Sequence, residues 1–222
     1  GAYAGVLVLV HDQSDINLSV SNTISDFAIA NDFTLNDSFT LQGATLFLTD
    51  NAFNDNGTLD NFSGTLGWAI YADNGSGLPG TLLFSGQDAA PVLTDTGQQT
   101  SSGDIMQAGI SFGTTIQLDA GIYWLAVHEG NWGSAFDGSN INWMQSSASL
   151  GANGVDEANE ANPVNWFDFG ADNVFTVEGN YVPLITSSAS FSLDENTTAA
   201  GTVVVFDADP RSFAITGGAD SG

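Results

Sequence analysis

Apolar residues recur at every second position or in short unbroken runs along this chain, which is the spacing of strands rather than helices. The pattern predicts strands over 4–10, 38–48, 65–71, 81–85, 105–112, 122–128, 141–145, 174–178 and 202–206. Clusters of turn-forming residues separate them, such as Asn54-Asp55-Asn56-Gly57 and the run from Asp73 to Gly80 that holds Leu78-Pro79. No convincing amphipathic helix is found; the best candidate, 155–162 with Asp156, Glu157 and Glu160, is at most two turns long. Many short strands at close spacing predict an all-β fold, a jelly-roll-like antiparallel β-sandwich. The run Gly5-Val6-Leu7-Val8-Leu9-Val10 is apolar at every position, so the same logic expects a strand buried on both faces. A second reading of Val6, Leu7, Val8, Leu9 and Val10 is a donor strand that completes the sheet of a neighbouring copy.

Composition sharpens this. The chain of 222 residues carries 26 acidic side chains against one basic residue, Arg211, for a net charge of −25. With no cations to replace phosphate counterions, nucleic-acid binding is excluded. Docking on an anionic membrane is disfavoured for the same reason. No apolar run approaches the roughly 18 residues of a membrane-spanning helix, so membrane insertion is not expected. The 15 Phe and 5 Trp separate the chain from acidic disordered tails and supply a core. Asp outnumbers Glu, 21 to 5, which suits turns, where the short side chain bonds nearby backbone amides. Asp is also a hard oxygen ligand, which makes Ca²⁺ the natural counter-charge. Cysteine is absent, so disulfides and thiolate chemistry are excluded.

Near Tyr181-Val182-Pro183 the composition changes. Trp and Tyr vanish and Ser, Thr and Ala take over, which divides the chain into 1–182 and 183–222. The second part contains Pro183-Leu184-Ile185-Thr186-Ser187, Phe191-Ser192-Leu193-Asp194-Glu195-Asn196-Thr197, Val203-Val204-Val205-Phe206-Asp207-Ala208-Asp209 and Phe213-Ala214-Ile215-Thr216. In that order these resemble the opening of a bacterial cadherin-like repeat. The resemblance implies a partial Ig/cadherin-like β unit and a calcium-ligating role for Glu195, Asp207 and Asp209. It departs from the family in its short Pro210-Arg211-Ser212 link and in stopping well before a full repeat, so the expectation is either a chain cut from a longer protein or strands that find a partner elsewhere. The first part carries Asn31-Asp32-Phe33-Thr34-Leu35, Ala69-Ile70-Tyr71-Ala72-Asp73 followed by Gly77-Leu78-Pro79-Gly80, and Gly121-Ile122-Tyr123-Trp124-Leu125-Ala126-Val127. It resembles secreted bacterial β-sandwich modules, which implies an extracellular location more than an activity.

Candidate chemistry is sparse. His11 and His128 sit in no metal-ligand spacing, and no Gly-x-Ser-x-Gly elbow is present, so no catalytic residue is assigned and an enzyme is not expected. His128 reads as a strand-end histidine bonded to a neighbour. Trp132, Trp143 and Trp166 stand among Asn, Asp and Gly, with Asn142 beside one of them. They read as either a sugar- or peptide-binding surface or a roof over the core. Trp68 and Trp124 lie in apolar strands and read as core. The loop from Asp50 to Asp60 has an EF-hand flavour, but aligning Gly57 with that motif's glycine puts Ala52 at the first ligand position, leaving an irregular Ca²⁺ site or a solvated loop. The leading expectation is a non-enzymatic, calcium-stabilised structural or adhesive module of a bacterial surface or biofilm-matrix protein, partnered by neighbouring repeats or its own copies. The alternatives are a filament subunit joined by strand donation and a glycan- or peptide-binding head.

Overall fold

A computed structural model describes residues 7–50, 52, 56–136, 138–157 and 165–182, with the backbone of 184–185 and 205–206. Its strands are β1 (Val8–Gln13), β2 (Ile16–Thr23), β3 (Ala28–Leu35), β4 (Phe39–Thr49), β5 (Leu66–Asp73), β6 (Pro79–Asp88), β7 (Val92–Gln99), β8 (Asp104–Leu118), β9 (Gly121–Glu129), β10 (Asn142–Ser146), β11 (Val155–Glu157), β12 (Phe167–Asp168), β13 (Phe175–Tyr181), β14 (Leu184–Ile185) and β15 (Val205–Phe206). Helix is absent among the described residues. The best helical candidate, an unconvincing one, begins as β11, whose Val155 pairs with Ala30; its remainder lies outside the described residues. Tertiary pairing with β3 decides the conformation where local propensity is weak.

Strands β1–β13 form two antiparallel sheets. In the first, β1-β13-β4 run side by side, β8 pairs with the opposite edge of β4, and β7 lies outside β8. Strands β10 and β2 extend it where β10 meets Leu48 and Thr49 at the far end of β4. The second sheet runs β12-β11-β3-β9-β5-β6. Within these sheets β1 pairs with β13, β3 with β9, β4 with β8, and β5 with β6. That nesting is a long antiparallel hairpin rolled up on itself, the jelly-roll arrangement.

Rings from the two inner faces meet in the core. His11 of β1 lies 4.5 Å from Phe175 and 6.3 Å from Phe33 across the sandwich, and Trp68 of β5 lies 4.7 Å from Phe112 of β8. Leu46, Leu48, Leu66, Ile70 and Leu125 are fully buried. β1 is the outermost strand of its sheet, and Leu9 is 57% exposed. This corrects the expectation of burial on both faces: an edge strand leaves apolar positions in water.

The outer face of the second sheet is also covered. Ala30, Ala126 and Ala69 stand abreast on β3, β9 and β5, with Val155 continuing the row on β11. These small side chains form a flat floor on which Tyr71, Trp124 and Trp166 pack, joined by Trp132, Phe136 and Leu78. At Gly67 a Cβ would come within 2.6 Å of the Trp132 nitrogen, so only glycine lets that loop lie down on β5.

By contact pattern the sandwich comprises Leu7–Asn180, and Gly1–Val6 with Tyr181–Gly222 forms a separate unit. Of that unit, the described part is the two-stranded pairing Leu184 to Phe206 and Ile185 to Val205.

Candidate functional site

Buried polar groups converge around the residues preceding β13 and the strap before β11. Asp32 occupies an outward position on β3, opposite Trp124 of β9. Its Oδ1 accepts the Ala152 amide at 3.1 Å, and the residue is 4% exposed. Asp172 accepts the Leu150 amide on Oδ2 at 2.8 Å and the Asn31 side-chain amide on Oδ1 at 3.2 Å. Asn31 in turn accepts the Asn173 backbone amide at 2.9 Å. Thus two carboxylates hold the strap 150–152 from below. Gly151 has φ +85°, and a Cβ there would lie 2.3 Å from Asp32 Oδ2. The strap therefore needs glycine twice, for its backbone angle and for its closeness to the acid.

A cavity of about 140 Å³ opens here, lined by His11, Asp32, Phe33, Thr34, Leu150 and Gly151. A second, about 310 Å³, is lined by the Asp12–Asp15 turn with Ser146, Ala148 and Leu150. Desolvation pushes the Asp32 carboxyl up to about 6, a shift opposed by the Ala152 amide and reinforced by Asp172 and Asp73. Burial lowers His11, against the raising influence of the Gln13 side chain, Asp12 and Asp172. Asp73 accepts the Trp124 indole N–H at 3.0 Å, tying the aromatic layer to the same acidic region.

Elsewhere carboxylates serve the backbone in the same way. Asp104 Oδ2 accepts the Asn56 and Gly57 amides at 3.0 and 2.7 Å, and Asp50 accepts the amides of Ala52 and Asp60. The EF-hand-flavoured loop is therefore built on carboxylates already occupied by its own main chain. No group of three or more His, Asp or Glu side chains able to hold a metal ion occurs among the described residues. Glu195, Asp207 and Asp209 lie outside the described residues.

The tryptophans separate. Trp143 is fully buried, with its indole N–H on the Val174 carbonyl at 2.7 Å and its ring 5.7 Å from Phe175. Trp166 is 8% exposed and edge-on to Tyr71 at 5.6 Å. Both belong to packed layers and present no open face to a ligand. Asn142 is also buried, its side-chain amide donating to the Asn140 carbonyl at 2.6 Å. Trp132 is half-buried, 5.1 Å from His128. Trp68 and Trp124 are buried as expected, and the Tyr71 hydroxyl is pushed up to about 12 by burial. His128 is buried, with Nδ1 2.5 Å from the Glu129 carbonyl and Phe136 edge-on at 5.4 Å. Leu7–Val10 are described, and Val8 and Leu9 pair with Gly179 and Glu178 of the chain's own β13; Val6 lies outside the described residues.

The Asp32–Asp172 strap site was not singled out from sequence. The only signal was an Asn-Asp pair inside a run that otherwise reads as core strand, Ala28-Ile29-Ala30 before it and Phe33 after it. Comparison with family models and with curated proteins finds no match.

Proposed function

We propose that the chain is a non-enzymatic structural and adhesive module of an extracellular bacterial surface or matrix protein, stabilised by Ca²⁺ at its second unit. The observation that carries this reading is how the carboxylates are used. The described residues contain no lysine or arginine, and buried Asp32, Asp50, Asp104 and Asp172 each accept main-chain amides. Such acids fix loops rather than act on a substrate. The remaining negative charge suits a medium that supplies divalent cations. Glu195, Asp207 and Asp209 are the ligands assigned to Ca²⁺, and oxygen donors of this kind are what that ion takes. Calorimetry and small-angle scattering of the full chain, with Ca²⁺ and then with excess chelator, test it. A lower melting temperature and a looser solution shape on chelation are expected; an unchanged melt and shape sink the calcium assignment.

A second reading is supported by the edge strand β1, where Leu9 is 57% exposed, and by Leu7 just before it, 48% exposed. In that reading the edge pairs with another copy and the contact propagates into a filament. Leu7→Lys with Leu9→Lys should keep the fold and abolish assembly; filaments from that variant in electron micrographs reject it.

A further inference from the structure

The strap 150–152 crosses the sandwich on two hydrogen bonds, Leu150 N–H to Asp172 and Ala152 N–H to Asp32, separated by a glycine packed on the Asp32 carboxylate. Leu150 lines both cavities described above, so the strap is the wall between them. We propose that this strap is a proton-operated latch, closed over the His11 cavity when Asp32 carries a proton and loosened when Asp32 is ionised. The inference is independent of the functional reading above.

The sign follows from what surrounds the carboxyl. Packed under Gly151, Asp32 loses water, and it faces Asp172 from the segment before β13 and Asp73 from β5. His11 of β1 shares the cavity, and its own burial favours the neutral ring over the cation. Trp124 on β9 and the strap residues add no charge. The ionised acid is therefore disfavoured in the closed state and relieved by opening to water. The shift from 3.8 to about 6 corroborates this direction. If opening restores ordinary solvation, linkage allows the closed-to-open ratio to fall by up to about a hundredfold as pH rises through this window.

Amide hydrogen exchange by NMR on the full chain reads the latch directly. Protection of the Leu150 and Ala152 amides, corrected for intrinsic exchange rates, is measured between pH 5 and 7.5, with Val127 in β9 as the internal control. Protection of the strap should fall by up to about tenfold over this range while Val127 stays constant. Asp32→Asn keeps a side-chain oxygen for the Ala152 amide and removes the charge. It should hold the strap at its acid-state protection at every pH. Equal protection of the wild-type strap at pH 5 and 7.5 overturns the proposal, whether or not the variant folds. So does a parallel loss at Val127, or a pH dependence that persists in Asp32→Asn.

Discussion

Glu129 ends β9 fully buried, and its carboxylate gathers three distant segments. Oε1 accepts the Ser63 amide at 2.6 Å, and Oε2 accepts the Ser25 hydroxyl at 2.6 Å together with that of Ser139. Ser25 Oγ then accepts the Ile141 amide at 2.8 Å, so the network also sets where the chain turns into β10. Replacing Glu129 by Ala strips one acceptor from a backbone amide and two hydroxyls at once. Hydrogen bonds to a charged group are worth about 1.5–3 kcal/mol each, but the hydroxyls can rotate to other partners. The expected loss is therefore about 3–5 kcal/mol, at the upper end for a single substitution. At roughly 2–4 °C per kcal/mol for a chain of this size, the melting temperature should drop by about 10 °C. Glu129→Gln keeps the volume and one acceptor and should lose about half as much. Denaturant titration of the three proteins at pH 7 gives the comparison. A loss below ~1 kcal/mol for the Ala variant would refute the idea that this carboxylate fastens the loops.

Other consequences follow from individual side chains. Asp32 has a folded pKa above its unfolded one, so its ionised form is a liability. The penalty is fully present above about 6 and is relieved as pH falls toward 3.8. Discounted for partial solvent screening, Asp32→Asn should gain about 1–2 kcal/mol at pH 7.5 and little at pH 4, read from thermal melts at both values. His11 acts in the opposite sense: its folded pKa is depressed below 6.5, so stability is lost as pH falls below that value, and His11→Asn should flatten this acid limb. Trp143→Ala should cost about 3–5 kcal/mol by opening a core cavity, whereas half-buried Trp132→Ala should cost well under half of that; equal losses would contradict their different burial. Gly151→Ala should destabilise by about 1–3 kcal/mol from its left-handed angle and the clash with Asp32. Gly113→Ala, at φ +63° with open space around it, should cost less in the same melt.

The strands that show in the sequence are those whose apolar residues alternate without interruption. The region around β4, β5 and β9 stands out for that reason, each supplying buried Leu, Ile or Trp at regular spacing. β3 is hidden because Asn31 and Asp32 interrupt it, and these residues belong to the polar strap site. β7 is hidden because an edge strand exposed on both faces needs no apolar pattern. Polar neighbours left two readings of the tryptophans open, and the packed one describes Trp143 and Trp166. Trp166 is buried against Tyr71 while Phe167 beside it, at the start of edge strand β12, is 65% exposed. A local window also carries no information on pairings such as Val8 with Gly179, which depend on how the whole hairpin rolls up.

That last pairing has a mechanical consequence. Because β1 and β13 are antiparallel neighbours, the backbone arrives at Val8 and departs at Gly179 from adjacent points on one rim of the sandwich. Tension transmitted through the polypeptide would load the β1–β13 hydrogen bonds one after another, as a zipper opens, rather than all together in shear. A pull applied at these two points would therefore open the sandwich from its rim before it strained the core.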